Sequence, residues 1–175
     1  MSGAGIDALR AEHETILLVM DRLEDAARSA ADGQIPPELV RAALDFIHIY
    51  VDGSHHAKEE GALFVAMAEN RLLARLADTL TLDHDEGRML VAAIERALLE
   101  ERPATGPVLG YAAFIQHHIR RENEMVFDAV EKGLSEPILA ELDARFREIE
   151  SEVLGSDVTT RLLTQLDAAY ERDGR

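Results

Sequence analysis

A histidine followed four residues later by a glutamate occurs twice in this chain, each time within an apolar helical stripe. The first copy runs from His56 to Glu60 and the second from His118 to Glu122. In an α-helix, residues at this spacing lie on one face, about one turn apart. Because the neighbouring stripe positions are apolar, both pairs are expected to face a core, where an unpaired imidazole or carboxylate is costly to bury. A shared metal ion would satisfy all of these side chains.

The composition of the 175-residue chain predicts an all-α domain. Ala, Leu, Glu and Arg dominate, and runs of strand-favouring residues are missing. The length suits one domain with a substantial core. The chain has no cysteine, which excludes disulfides, thiolate metal sites and iron–sulfur clusters.

The formal net charge of −16 argues against a nucleic-acid partner and against binding to anionic membranes. No segment is long and apolar enough to span a bilayer. The first residues, MSGAGIDALRAEHE, lack the apolar centre of a signal peptide. We therefore expect a cytoplasmic protein.

Apolar periodicity and turn residues divide the chain into six predicted helices. Their approximate ranges are 6–31, 37–69, 73–102, 108–132, 136–153 and 157–172. We expect a single domain of residues 1–175, with a bundle core at about 5–133 and cover helices at about 136–172. Gly53 lies within the second helix, where glycine costs roughly 1 kcal/mol relative to alanine. This position therefore predicts a kink or the close approach of another helix.

Each of the first four predicted helices carries one histidine on its apolar stripe, and two of them add a glutamate. The candidate metal ligands are His13, His56, Glu60, His84, His118 and Glu122. Imidazole together with carboxylate suits iron, manganese or zinc. Inward-facing His and Glu side chains from separate helices are how four-helix bundles build di-metal sites. Two carboxylates indicate two ions, because the two oxygens of a carboxylate can bridge.

Other polar residues near these positions are expected to have different roles. His55 and His117 are predicted to be exposed or to orient a ligand ring, and the pair of His55 with Glu59 is predicted to be an ordinary surface pair. The charged KEE and RREN stretches are expected to be mostly solvated. Candidates for orienting the ligand rings are Asp52, Tyr50 and Tyr111.

The order His, His-x-x-x-Glu, His, His-x-x-x-Glu resembles the hemerythrin-like, or HHE cation-binding, family. The resemblance covers about residues 5–150 and is carried by LRAEHETIL, FIHIYVDGSHHAKEEGALF, LDHDEGR and HHIRRENEMVFDAVEKGLSE. It implies an up-down-up-down four-helix bundle with one or two additional C-terminal helices. It also implies a non-haem di-iron centre, bridged by two carboxylates and an oxo or hydroxo group, in which zinc or manganese could substitute. The implied ligands are His13, His56, Glu60, His84, His118 and Glu122.

The chain departs from the oxygen-carrying hemerythrins on the third helix, where those proteins place two histidines four residues apart. Here Arg88 follows His84 at that spacing and Leu80 precedes it. One ligand is therefore missing, unless a nearby carboxylate replaces it; the candidates are Glu59, Glu86 and Glu124. Irons less saturated by protein favour turnover of oxygen or peroxide over reversible carriage.

The expected function is that of a di-iron protein whose partner is a small molecule, namely dioxygen, peroxide or nitric oxide. It would bind oxygen or peroxide species at the bridged centre. The alternatives are a peroxide-decomposing, catalase-like enzyme, and a sensor or store for iron, oxygen or nitric oxide. A bundle with an empty site or with zinc is a further alternative. These alternatives, like the oligomeric state, stay open at the level of sequence.

Overall fold

Six helices make up most of the computed structural model, which describes residues 3–30, 34–155 and 157–172. No strand occurs within these ranges, and the predicted all-α class is confirmed. Four of the helices have regular α geometry throughout: α1 (Ala4–Ser29), α3 (Arg71–Leu99), α5 (Glu136–Val153) and α6 (Val158–Arg172). The predicted end of the first helix, at residue 31, lies outside the described residues.

The helices α2 (37–67) and α4 (105–133) are continuous but contain π-helical turns. In α2, the π segments Ile47–His56 and Glu59–Leu63 lie between the α segments Pro37–Phe46 and Phe64–Met67. In α4, the π segment Glu122–Val126 lies between Thr105–Arg121 and Phe127–Gly133. A π turn bonds residue i to i+5 and is therefore wider than an α turn.

The π turns change which residues of α2 face the interior. In a regular α-helix, the side chains of residues four apart point in directions that differ by about 40°. A series of residues at this spacing therefore moves gradually around the helix. In α2, by contrast, the residues at successive steps of four lie on the buried face along the whole helix. The residues in this series, all buried, are Leu39, Ala43, Ile47, Val51, His55, Glu59, Leu63 and Met67.

The helices α1 to α4 form an up-down-up-down bundle, with α4 packed between α1 and α3. Its interior contains two apolar clusters separated by a layer of buried polar residues. On α1, Leu9 belongs to one cluster, Ile16 belongs to the other, and His13 lies between them. The flanking pairs on the other bundle helices are Val51 and Leu63 on α2, Leu80 and Val91 on α3, and Ile119 and Val126 on α4.

The two C-terminal helices extend these clusters. The helix α5 packs against α1 and α2, and α6 packs against the first segment of α2. A methyl group built at Gly53 would lie 3.5 Å from Cγ1 of Val153 on α5, so the predicted close approach of another helix occurs here. Within the described residues, no helix is both long and apolar enough to cross a membrane.

Candidate metal centre

Among the residues that the structure describes, seven buried side chains form the polar layer, and they fall into two groups that could each hold a metal ion. The two-histidine group consists of His13, His55, Glu59 and Glu122. The three-histidine group consists of His56, Glu59, His84 and His118. Within each group, one potential ligand atom from every residue lies within 4.8 Å of the others. Glu59 belongs to both groups.

The two carboxylates lie between the groups. One oxygen of Glu59 is 3.7 Å from Nε2 of His55, and its other oxygen is 3.3 Å from Nε2 of His84. Oε2 of Glu122 is 3.2 Å from Nε2 of His13 and 3.3 Å from Nε2 of His118. Each carboxylate therefore contacts a histidine from either group, which is the arrangement that a carboxylate bridging two ions requires.

All five imidazoles are oriented by an oxygen at Nδ1, so that Nε2 faces the other ligands. A hydrogen bond at Nδ1 fixes the tautomer that keeps the lone pair on Nε2. The pairs and their distances are His13 with Asn123 (2.9 Å), His55 with Glu12 (2.8 Å), His56 with Asp52 (3.3 Å), His84 with Glu60 (2.7 Å) and His118 with Asp83 (3.3 Å). Asp52 was among the residues predicted to orient a ring.

Several atoms at the centre of the layer are buried without a hydrogen-bond partner. They are both carboxylate oxygens of Glu59 and of Glu122, and Nε2 of His56, His84 and His118. Such atoms are rare in native proteins because burying them unpaired is costly. Nitrogens of three imidazoles and oxygens of two carboxylates converge here, and bound cations would satisfy all of them. The residues present therefore fit metal ions.

The structure places Glu60 outside both groups, although the sequence pattern predicted it as a ligand. Its carboxylate accepts hydrogen bonds from Nδ1 of His84 and from Arg88, both at 2.7 Å. The π turns of α2 bring the preceding residue, Glu59, to the interior instead, and Glu59 is fully buried together with His55. The prediction that His55 and Glu59 form a surface pair was wrong.

The structure brings together the other five predicted ligands: His13, His56, His84, His118 and Glu122. His55 was missed, although its spacing to Glu59 equals that of His118 to Glu122. His117 precedes His118 in the same way that His55 precedes His56, but His117 is exposed, as predicted.

The third bundle helix contributes one histidine, but the layer as a whole does not lack imidazoles. The adjacent His55 and His56 of α2 point into different groups, so α2 supplies two rings where the predicted set had one. Of the carboxylates considered as replacements, Glu59 lies in both groups, whereas Glu86 and Glu124 are exposed.

Lys58 is also buried, so the expectation that the KEE stretch is mostly solvated was wrong for two of its three residues. The Lys58 ammonium donates hydrogen bonds to Glu12 and, at 2.7 Å, to Glu150 of α5. Glu12 in turn accepts from Nδ1 of His55. A chain of charged groups therefore connects α5 with the two-histidine group.

Burial keeps two of the imidazoles neutral. It lowers the pKa of His56 to about 3, against the raising effect of the Asp52 carboxylate. Burial likewise lowers the pKa of His118 below its usual value, although Glu122 and Glu59 act in the opposite direction. Neutral imidazole is the form that binds metal, so these two rings are prepared for ligation at neutral pH.

In two other imidazoles, nearby carboxylates favour the protonated form and raise the pKa. Burial opposes protonation of His84, but the carboxylates of Glu59 and Glu60 outweigh it and raise the pKa to about 9. Burial also acts to lower the pKa of His55, yet Glu59 and Glu12 raise it overall. A cation at this place would replace these protons as the partner of the buried carboxylates.

A cavity of about 80 Å³ adjoins the three-histidine group, and His56, His84 and His118 form part of its wall. Other lining residues are partly exposed and mark its mouth: His48, Asp52, Arg88 and Glu95. The Arg88 guanidinium donates to the Asp52 carboxylate at 2.8 Å, and His48 pairs with Glu95 at 2.8 Å. The cavity therefore connects one side of the candidate centre with the surface.

In a comparison with protein families, residues 4–130 match the hemerythrin HHE cation binding domain. The matched range includes α1 to α3 and nearly all of α4, and with them all seven residues of the two groups. Comparisons with curated proteins and with solved structures found no match.

Proposed function

This chain belongs to the hemerythrin HHE cation-binding family, and on that premise we propose that it binds two iron ions and, at them, oxygen or peroxide species. The observation that carries the proposal is the convergence of seven buried ligand side chains in two overlapping groups. The unpartnered oxygens of Glu59 and Glu122 support two ions over one, because each carboxylate contacts histidines of both groups.

In this proposal His13 and His55 hold one ion, and His56, His84 and His118 hold the other. Glu59 and Glu122 lie between the ions and supply two negative charges that partly balance them. The imidazoles bind through Nε2, because the oxygens at Nδ1 hold each ring in that orientation. Iron suits this mixture of imidazole and carboxylate, and manganese or zinc would be the expected substitutes.

The aromatic rings around the layer limit the access of water. Phe127 stacks on His13 with ring centroids 5.4 Å apart, Phe64 lies 5.4 Å from His84, and Phe114 stacks on His118 at 6.2 Å. When bound, the iron pair would supply the electrons for reactions of dioxygen or peroxide. The side chains orient the ions, exclude bulk water and leave the cavity beside His56, His84 and His118 as the route for a small molecule.

The cavity also favours a second candidate function, a peroxide-decomposing enzyme, because it gives a small substrate access to the centre. A sensor or store for iron, oxygen or nitric oxide would use the same metal ligands without turnover. The cytoplasmic location stays a prediction of the sequence.

The proposal is tested by loading the purified protein with Fe(II) under anaerobic conditions, removing excess metal and measuring iron per chain. The expected result is two irons per chain. After exposure to air, the absorption band of an oxo-bridged iron pair should appear. Peroxide is then added while oxygen evolution is followed, with Glu122→Gln as the variant that lacks one bridge. Peroxide turnover that is lost in Glu122→Gln indicates the enzyme. Binding of peroxide without turnover indicates a carrier or sensor. A protein that retains no iron contradicts the proposal.

A further inference from the structure

Arg88 of α3 forms ion pairs with two carboxylates of α2. Its Nε donates to Asp52 at 2.8 Å, and its Nη2 donates to Glu60 at 2.7 Å. A longer contact of 3.4 Å joins Nη1 to Asp85 of its own helix. The guanidinium is rigid and planar, and it can donate in several directions at once. One side chain therefore fixes the positions of two acidic groups on the neighbouring helix.

The same two carboxylates orient two imidazoles of the three-histidine group. Asp52 lies 3.3 Å from Nδ1 of His56, and Glu60 lies 2.7 Å from Nδ1 of His84. The two rings are stacked with their centroids 3.9 Å apart, so that a rotation of one ring would displace the other. Arg88 is thus connected to both of these rings, in each case through one carboxylate.

The other three candidate ligand rings are oriented by groups that do not pair with Arg88 in the described part of the chain. They are His13 with Asn123, His55 with Glu12, and His118 with Asp83. The first two of these rings belong to the two-histidine group. Removal of Arg88 would therefore disturb the three-histidine group and leave the ring orientations of the two-histidine group unchanged.

The positive charge of Arg88 and its ion pairs have opposite effects on metal binding. A guanidinium repels a cation, so charge alone predicts that removing Arg88 strengthens binding. Loss of the ion pairs would instead release Asp52 and Glu60, and the rings that they orient would lose their fixed direction, which weakens binding. Because the Arg88 side chain is 39% exposed and already paired, water and salt screen its repulsion. We therefore expect the geometric effect to be larger.

We propose that Arg88 is a positioning residue for the three-histidine group: its guanidinium holds the two carboxylates that orient the rings of His56 and His84. This inference rests on the proposed function, because the ion held by those rings is the one whose binding Arg88 affects. Arg88 follows His84 by about one helical turn, where a further ligand of α3 would lie. The guanidinium keeps its proton and cannot bind a cation, so this position supports two ligands without being one.

The experiment compares iron binding by wild type, Arg88→Met and Arg22→Met. Methionine keeps an apolar stem and removes the guanidinium. Arg22 is a matched control, because it also forms an ion pair between helices, with Asp167 of α6, and its side chain is similarly exposed, at 30%. It lies on α1 more than about two turns beyond His13. The metal-free variants are first compared by circular dichroism, and if Arg88→Met does not fold, Arg88→Gln takes its place.

Iron(II) is titrated into each protein without oxygen, in competition with a chelator. Arg88→Met should bind its weaker iron about tenfold less tightly than wild type, or worse, whereas Arg22→Met should bind both irons like wild type. At iron levels that just saturate wild type, oxidised Arg88→Met should therefore show the EPR signal of an isolated ferric ion. A bridged ferric pair, as expected in wild type and in Arg22→Met, gives no such signal.

A second set of variants tests whether Arg88 acts through the two carboxylates. The double variant Asp52→Asn/Glu60→Gln removes the charges that Arg88 holds, and it should itself weaken iron binding. Adding Arg88→Met to this double variant should change the iron affinity by less than about twofold, because residues that act through one network are not additive. An equal loss of affinity in the wild-type and double-variant backgrounds would overturn the proposal, because Arg88 would then act independently of the carboxylates.

The outcomes separate this inference from the function on which it rests. Wild-type protein that retains no iron contradicts the proposed function, and this inference with it. Two irons of unchanged or increased affinity in Arg88→Met overturn the role of Arg88 and leave the metal centre intact. An equal loss of affinity in Arg88→Met and Arg22→Met would overturn it as well, because the loss of any ion pair between helices would then have the same effect.

Discussion

Glu59 and Glu60 are adjacent and chemically identical, yet they have opposite surroundings. Glu59 is fully buried, and its oxygens contact histidines of both groups, whereas the Glu60 side chain is 34% exposed and pairs with Arg88 and His84. The first is placed to bridge ions, and the second is placed to orient one ring. A comparison of the two residues therefore tests the ligand set.

We expect Glu59→Gln to lose most of its iron, because an amide bridges two cations poorly and one negative charge of the centre is removed. Glu60→Gln should still bind two irons at saturation, with affinity weakened roughly 10- to 100-fold as for other residues that orient a ligand. Iron per chain at saturation, and its release to a chelator, measure both effects. If Glu60→Gln lost more iron than Glu59→Gln, Glu60 would be the ligand instead.

The two His-His pairs offer a similar comparison. His55→Ala should lower the iron content, because it removes one of the two imidazoles of its group. His117→Ala should bind iron like wild type, because this ring is exposed. Metal analysis of both purified variants checks the prediction, and equal iron in the two would show that His55 is not a ligand.

At the level of helices, α2 shows both what the sequence could predict and what it could not. Its approximate length, its buried His56 and the close approach at Gly53 follow from apolar spacing and glycine chemistry. The choice of Glu59 over Glu60 does not, because the prediction used the pitch of a regular α-helix and the π turns alter that pitch. In α4, by contrast, the predicted pair of His118 and Glu122 is buried, because there the π segment begins only at Glu122.

The helix α5 is joined to the bundle through the buried ammonium of Lys58, which lies between Glu12 and Glu150. Replacing Lys58 with Met would remove the ammonium from the mostly buried Glu12 carboxylate and leave only His55 as its partner. We expect a loss of unfolding free energy on the order of 3 kcal/mol, as for other broken buried pairs. Denaturant unfolding of the metal-free protein measures it.

The matched control for this variant is Lys132→Met, because Lys132 pairs with Asp128 at 3.5 Å on the surface. Exposed pairs of this kind contribute at most about 1 kcal/mol. Equal stability of the two variants would contradict the structural role assigned to the buried lysine.

For the whole molecule, a polar layer between two apolar clusters makes stability depend on what occupies the layer. Without metal, His84 carries a proton beside Glu59 and Glu60, and its pKa is raised to about 9 from the ordinary value of 6.5. A group whose pKa is raised on folding contributes stability that is complete below its unfolded pKa and is lost as the pH rises through its folded pKa. The raised pKa of His55 acts in the same direction.

We therefore expect the thermal unfolding midpoint of the metal-free protein to decrease as the pH rises from about 6.5 to 9. The iron-loaded protein should show no such fall, because the ions would replace these protons. Calorimetry of both forms across this range provides the measurement. A flat profile for the metal-free protein would contradict the protonated state assigned to His84, and His84→Gln should remove most of the dependence.

The most direct test of the central claim is anomalous diffraction at the iron edge from crystals of the iron-loaded protein. We expect two peaks inside the bundle, one beside His13 and His55 and the other beside His56, His84 and His118, with Glu59 and Glu122 between them. A single peak, a peak beside Glu60, or no peak within the polar layer would contradict it.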